Sequence, residues 1–206
     1  TSVIGYLTLL SEEPQLPYAS RQRFNGIALD KAERLEGLIN EFFEISKYNL
    51  TTITLQYRKI NLGRLLEMLL YEFQPMLKEK DLKCDLRVPE DMILKCDADK
   101  MQRVFDNLLR NAVIYSFNGT DIVIAVTGQE ENVRIRFINH GDTIPAEKLE
   151  RIFEQFYRLD ASRSTSSGGA GLGLAIAKQI VELHHGTIQA RSQDEVTEFE
   201  VVLPVL

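Results

Sequence analysis

The stretch from Ser166 to Gly186, SSGGAGLGLAIAKQIVELHHG, constrains this chain more than any other. Glycines stand at 168, 169, 171, 173 and 186, and Leu172, Ile176, Ile180 and Leu183 recur at helical spacing between them. A loop free to adopt positive φ therefore feeds an amphipathic helix. The first N–H groups of such a helix have no partner within it and carry the positive end of its dipole. A glycine loop that permits close approach, followed by that helix start, suits a phosphate chain. A glycine-rich linker before an ordinary core helix fits the same residues. The remaining segments decide between the two.

Several classes are excluded by the bulk of the sequence. The 206 residues suffice for one large domain or two small ones. Apolar residues at 44% and charged residues at 26% make an ordinary globular composition. A net charge of −6, with no basic patch, argues against nucleic acid as a partner. The longest apolar run, Val3 to Leu10, is too short to span a bilayer. The chain opens Thr1-Ser2-Val3, with neither an initiator Met nor the charged start of a signal peptide, and the opening reads as a boundary. Cys84 and Cys96 lack metal-ligand spacing and are expected to lie reduced in a core.

Val3, Leu7 and Leu10 predict a short helix; Pro14 and Pro17 mark a loop; a long helix is expected from Arg21 to Asn49. In that helix Phe24, Ala28, Leu35, Leu38, Phe42 and Ile45 step by about 3.5 residues, the period of a supercoiled seam. Ile27, Leu29, Ile39 and Phe43 widen the apolar surface beyond what a two-helix hairpin buries. A dimer forming a four-helix bundle would cover it, as would packing against the rest of the chain. Thr51 to Lys59 reads as a connector. Asn61 is a candidate N-cap for a helix carrying Leu62, Leu65, Leu69, Phe73 and Leu77, which Pro75 should kink.

Beyond it, strands are expected at Leu82–Val88, Ile93–Cys96, Ile122–Val126 and Val133–Phe137, with a helix from Ala98 to Ser116. A last hairpin, Thr187–Ser192 and Thr197–Leu203, turns at Gln193-Asp194-Glu195. Hairpins dominate, so the fold class is α+β: a helical hairpin, residues 1–59, then a layer of helices on a mixed or antiparallel sheet, residues 60–206. A dinucleotide fold is disfavoured, because no strand leads directly into GGAGLGL.

Three further segments carry chemistry. On the helix to Ser116, Asn107, Asn111 and Tyr115 share a stripe at i, i+4, i+8, beside the apolar stripe Met101, Phe105, Leu108, Ala112. Carboxamides beside a core need partners, which a metal ion and phosphate oxygens supply; two solvated rim asparagines are the plainer reading. Directly after a strand comes Asn139-His140-Gly141-Asp142-Thr143-Ile144-Pro145. The Asn139 amide has the paired acceptor and donor that suit adenine. Phe153 to Arg158 sets aromatics beside a cation, and the polar stretch 160–168 reads as a mobile lid.

In this order and spacing the four segments resemble the ATP-binding domain of sensor histidine kinases, related to the gyrase, heat-shock-protein-90 and MutL ATPases of the GHKL superfamily. The resemblance covers about 110 residues, and the hairpin before them is similar to the family's dimerisation and phosphotransfer domain. It implies a two-layer α/β sandwich of the Bergerat type with a mixed sheet. It implies Mg²⁺ and phosphates held at Asn107 and Asn111, with Tyr115 near the nucleotide. It implies adenine at Asn139, beside Gly141 and the apolar wall of Ile144. Phe156 and Arg158 would form the lid base, and Gly169, Gly171, Leu172 and Gly173 the phosphate loop. ATP and Mg²⁺ are the implied cofactors. A response regulator and a second copy of the chain are the implied partners, in the cytoplasmic part of a membrane-anchored protein.

Departures from the family also stand out. Asn139 replaces the usual Asp, Ile114 a frequent basic residue, and Val196 a glycine before Thr197. The family's acceptor His would lie upstream of Thr1, so no catalytic residue is assigned in this chain. His140 reads as a turn residue, and His184 and His185 as cations at a helix C-terminus. Hydrolysing relatives place a Glu base where Asn107 stands, and an amide takes no proton from water.

Overall fold

The computed structural model describes residues 2–50, 54–129, 131–159 and 171–205, without the side chains of residues 41 and 44–50. The chain forms two compact units, Thr1–Leu50 and Thr51–Leu206. Among the described residues no helix is long and apolar enough to cross a membrane.

The first unit is two helices, α1 (Val3–Glu12) and α2 (Tyr18–Leu50). The Ser2 hydroxyl caps α1, accepting from the Gly5 N–H at 3.2 Å. The long helix starts at Tyr18, three residues before the expected Arg21, because the Pro17 carbonyl already accepts from the Arg21 N–H at 3.0 Å. Tyr6 and Phe24 meet between the helices with ring centroids 5.8 Å apart, and Ala28 is buried. Leu29, Leu35, Ile39, Phe42 and Phe43 stay exposed. Of the seam legible in the sequence, Phe24, Ala28 and Leu38 are buried or half-buried and Leu35 and Phe42 are exposed.

The second unit is a two-layer α/β sandwich. Its five-stranded sheet runs β2–β4–β5–β7–β6, from β2 (Lys83–Arg87), β4 (Asp121–Gly128), β5 (Asn132–His140), β6 (Thr187–Gln193) and β7 (Val196–Pro204). Only β2 and β4 pair in parallel; the other neighbours are antiparallel, so the sheet is mixed. The β6–β7 turn is Asp194-Glu195, with φ of 50° and 62°, the left-handed pair of a two-residue hairpin.

On one face lie α3 (Leu62–Glu79), α4 (Ala98–Tyr115) and α5 (Gly173–Leu183). Ile124, Ile135, Phe137 and Val201 from the sheet meet Leu69, Phe105, Leu108 and Ile176 from the helices, all at most 2% exposed. Burying each such side chain stabilises by about 1.5–3 kcal/mol. The opposite face carries charge pairs, Arg134–Glu200 at 2.9 Å and Arg136–Glu198 at 3.8 Å. The face opposite the helix layer is therefore closed by ion pairs, not by a second helix layer.

Three local expectations change. Leu66, not Leu65, faces the core, since α3 starts at Leu62 and repeats through Leu66, Leu69, Phe73 and Leu77. The helix runs on through Pro75, and the carbonyl that loses its donor belongs to Tyr71, 81% exposed to water. The stretch read as a connector contains β1 (Tyr57–Asn61), which pairs antiparallel with β3 (Ile93–Asp97). The strands at 83–87 and 93–97 therefore belong to different sheets.

Candidate functional site

The Asp97 carboxylate fixes where α4 begins. One oxygen accepts from the Lys100 N–H at 3.2 Å as N-cap, and the other from the Gln56 N–H at 2.9 Å, which ties the approach to β1 to this helix. At the far end Lys80 donates from Nζ to the carbonyls of Val113 (3.0 Å), Ile114 (2.5 Å) and Ser116 (3.3 Å). These carbonyls have no partner within the helix, so the ammonium occupies the negative end of its dipole. Burial pulls the Lys80 pKa below its usual value, while Glu79 opposes that shift.

Between those ends the predicted stripe forms. Asn107 and Asn111 are half-buried, and Tyr115 at the last turn is 45% exposed. The Asn107 Nδ2 is buried with no hydrogen-bond partner. Its Oδ1 would lie 2.9 Å from a Cβ at Gly173, so the first residue of α5 sits against this amide and any side chain there would displace it. No side chain caps the α5 N-terminus, whereas Ser2, Asn61 and Asp97 cap α1, α3 and α4. Leu172, just before it, is 1% exposed and holds the loop end in the core.

Asn139 is the last core-facing residue of β5, opposite Thr197 on β7, and is 2% exposed. Its carboxamide has no hydrogen-bond partner among the described residues. An amide placed at the edge of a core needs hydrogen-bond partners, which a ligand could supply. Directly after it the chain crosses α4. A Cβ at Gly141 would collide with the Tyr115 carbonyl oxygen and stand 3.5 Å from the Asn139 Nδ2. Only glycine permits that crossing. The Phe117 N–H donates to the His140 carbonyl and the Gly141 N–H to the Glu195 carbonyl, both at 2.8 Å. Ile144, 9% exposed, is held by its N–H donating to the Ser192 hydroxyl at 2.9 Å.

Phe156 is 58% exposed at φ 62°, a left-handed conformation costly for an aromatic residue. Its N–H donates to the Gly171 carbonyl at 3.0 Å, and a Cβ at Gly171, φ 77°, would lie 2.8 Å from the Tyr157 carbonyl. Arg158 is half-buried beside them. Gly169 and the lid stretch 160–168 lie outside the described residues.

Three close approaches thus join the four segments: Asn107 with Gly173, Tyr115 and Asn139 with Gly141, and Phe156 with Gly171. The Asn107 and Asn139 amides and the uncapped helix start are groups able to donate to and accept from a polyanionic ligand with a polar ring. No group of three His, Cys, Asp or Glu side chains able to hold a metal ion exists among the described residues. A cation here would take carboxamide oxygen and oxygens of the ligand itself, a donor set that suits Mg²⁺. A phosphate oxygen on Nδ2 or, with the amide turned over, a cation on Oδ1 would relieve the Asn107 orphan.

Two functional contributors escaped the sequence reading. Lys80, between Glu79 and Asp81, looks like any solvated lysine. His184 was expected to be a cation, but it is 2% exposed. Its Nδ1 donates to the Ile180 carbonyl at 2.8 Å, its Nε2 accepts from the Asp97 N–H at 3.1 Å, and the Tyr57 ring meets it edge-on at 5.6 Å. Burial favours the neutral ring and pulls its pKa below 6.5; the Ile180 carbonyl and Asp97 oppose this, and His185 adds to it. Cys84 and Cys96 are free, and burial pushes both thiols up to about 12, so neither is a nucleophile at neutral pH.

Residues 96–206, over half of the chain, match the family described as histidine kinase-, DNA gyrase B- and HSP90-like ATPases, and the chain belongs to that family. Within it the chain resembles the VanS type of sensor histidine kinase. It is 50% identical to the sensor protein VanSC of Enterococcus gallinarum over 99% of its length and 56% of that protein's. It is 48% identical to the sensor protein VanS of Enterococcus faecium over 100% of its length and 53% of that protein's. The chain therefore spans about half the length of these relatives. The fold matches that of the histidine kinase ThkA, crystallised with the response regulator TrrA, with a TM-score of 0.79 at 23% identity over 99% of this chain and 57% of that one.

Proposed function

We propose that this chain is the catalytic core of a two-component sensor histidine kinase acting in vancomycin-resistance signalling, and that it binds Mg-ATP for transfer of the γ-phosphoryl group to a histidine. The observation that carries this is the Asn107 amide, whose buried Nδ2 has no partner and whose Oδ1 lies against the uncapped glycine start of α5, on the same helix whose last turn is crossed by the chain just after the buried Asn139. Asn139 holds the adenine edge, Gly141 lets the backbone pass beside it, and Ile144 closes one side of the ring. Asn107 and Asn111 hold phosphate oxygens and the cation, with Tyr115 alongside. Gly171, Leu172 and Gly173 bring N–H groups to the phosphates, and Phe156 and Arg158 stand at the edge of this loop. Bound Mg²⁺ supplies neutralisation of the charge that builds on the β- and γ-oxygens.

The protein contributes position and fixed dipoles to the transfer. Asn107 has no basic group, so water near the γ-phosphate stays unactivated and transfer is favoured over hydrolysis. None of the three histidines suits the acceptor role. His140 ends β5 beside the base reader, His184 is buried in hydrogen bonds, and His185 occupies a left-handed turn at φ 59°. The acceptor therefore belongs to a longer form of the protein, membrane-anchored with this part in the cytoplasm. From that histidine the phosphoryl group passes to an Asp of a VanR-like response regulator. The helices of 1–50 pair with a second copy.

Calorimetric titration of this chain with Mg-ATP, beside radiolabel transfer in a longer chain carrying the upstream histidine, tests the reading. Binding that Asn111→Ala abolishes, together with an acid-labile label on the longer chain, is expected. Absence of both would sink it, and steady-state ATP hydrolysis by this chain would move it to the hydrolysing branch.

A further inference from the structure

We propose that the base subsite at Asn139 accepts 6-oxo purines as well as adenine, so that Mg-ITP and Mg-GTP occupy the same place as Mg-ATP. This rests on the nucleotide reading above and concerns which base that site selects. The side chain that meets the base edge is a carboxamide, and its two ends differ: Oδ1 only accepts and Nδ2 only donates. Adenine presents an exocyclic amine donor beside a ring-nitrogen acceptor. Hypoxanthine and guanine present a carbonyl acceptor beside a ring N–H donor. A half-turn of the amide about its Cβ–Cγ bond exchanges Oδ1 and Nδ2, so one orientation matches each edge. A carboxylate in that place accepts at both ends; it would suit the amine of adenine and oppose the 6-oxygen.

The amide is free to choose only if nothing in the fold fixes it, and the surrounding polar groups are engaged elsewhere. The Thr197 hydroxyl, directly across the β5–β7 ladder, pairs with the Ser192 hydroxyl at 2.9 Å. That Ser192 hydroxyl also accepts from the Ile144 N–H. The Gly141 N–H donates to the Glu195 carbonyl, and the His140 carbonyl accepts from the Phe117 N–H. At 2% exposure, with no partner among the described residues, Asn139 takes its orientation from the ligand. An amide locked by a neighbour would select one edge; this one selects either.

Competition of ATP, ITP and GTP, each with Mg²⁺, against a fluorescent nucleotide at pH 8 tests the inference on the wild-type chain and on Asn139→Asp. ITP is the cleaner probe, since it changes the 6-position and N1 without adding a 2-amino group. Wild-type dissociation constants for ITP and ATP within about tenfold of each other are expected, and Asn139→Asp should widen the ratio about tenfold or more in favour of ATP, the discrimination of one bidentate edge contact. ATP binding with ITP and GTP rejected about a hundredfold or more by the wild type would overturn the inference and leave the nucleotide reading standing. An unchanged ratio in a folded Asn139→Asp would also overturn it. If no nucleotide displaces the probe, both readings fall together. The wild-type ratio decides by itself should the variant not fold.

Discussion

At Gly141 a missing methyl group decides whether two elements meet. A Cβ there would strike the Tyr115 carbonyl, so Gly141→Ala has to push β5 away from the end of α4. Overpacking of this kind costs about 1–3 kcal/mol. Thermal melting should show the loss, and Mg-ATP titration should show about a tenfold or larger weakening, because Asn139 and Tyr115 separate. The resemblance sets Gly141 beside the base, but its collision partner lies 26 positions away and no local pattern announces it. His184 was misread for the same reason. Its neighbours in sequence describe a helix end, while its burial is set by Tyr57 and Asp97. The sign of its effect is definite. Its folded pKa lies below the 6.5 of the unfolded chain, so below pH 6.5 the unfolded chain takes up the proton first. Stability from this group is complete above pH 6.5 and declines as pH falls toward the folded value. Urea midpoints at pH 7.5 and 5.5 should differ in the wild type, and His184→Gln should flatten the part of that difference lying above the carboxylate range.

Among the elements, α4 is the one on which the site depends, and it is held at both ends by residues outside itself. Its apolar stripe was legible, since periodicity is a local property. The clasp by Lys80 was not, because it reaches 33–36 positions along the chain. β1 was missed because Tyr-Arg-Lys-Ile-Asn shows no clean alternation; a short two-stranded ladder with β3 orders it. The parallel pairing of β2 with β4 was unreadable too, since a crossover through α4 and not a turn sets it. Replacing Lys80 by Met keeps the aliphatic stem and removes the charge from three carbonyls. The last turn of α4 should then fray: amide exchange at 113–116 accelerates, stability falls by about 1–2 kcal/mol, and nucleotide affinity declines with Tyr115. Lys80→Arg should restore most of both. Unchanged exchange rates in Lys80→Met would show that the clasp contributes nothing to the helix end.

For the whole molecule, the described candidate site residues fall within 51–206, while the uncovered apolar side chains of α2 fall within 1–50. A chain of 54–206 keeps the sheet, the three helices and their core, so it should melt cooperatively and bind Mg-ATP with the affinity of the full chain. The first unit has no such autonomy. Leu35, Ile39 and Phe42 are 52%, 46% and 52% exposed, and covering each stabilises by up to about 1.5–3 kcal/mol. A heptad-like seam on a 33-residue helix is the pattern another helix covers. Sedimentation should therefore find the full chain dimeric and 54–206 monomeric. Leu35→Glu with Phe42→Glu places two charges on that seam and should return the full chain to monomer, with Mg-ATP affinity unaltered. A monomeric wild-type chain at tens of micromolar would remove the four-helix arrangement from the proposed function while leaving the nucleotide site intact. A dimer that survives both charges would move the interface to another surface.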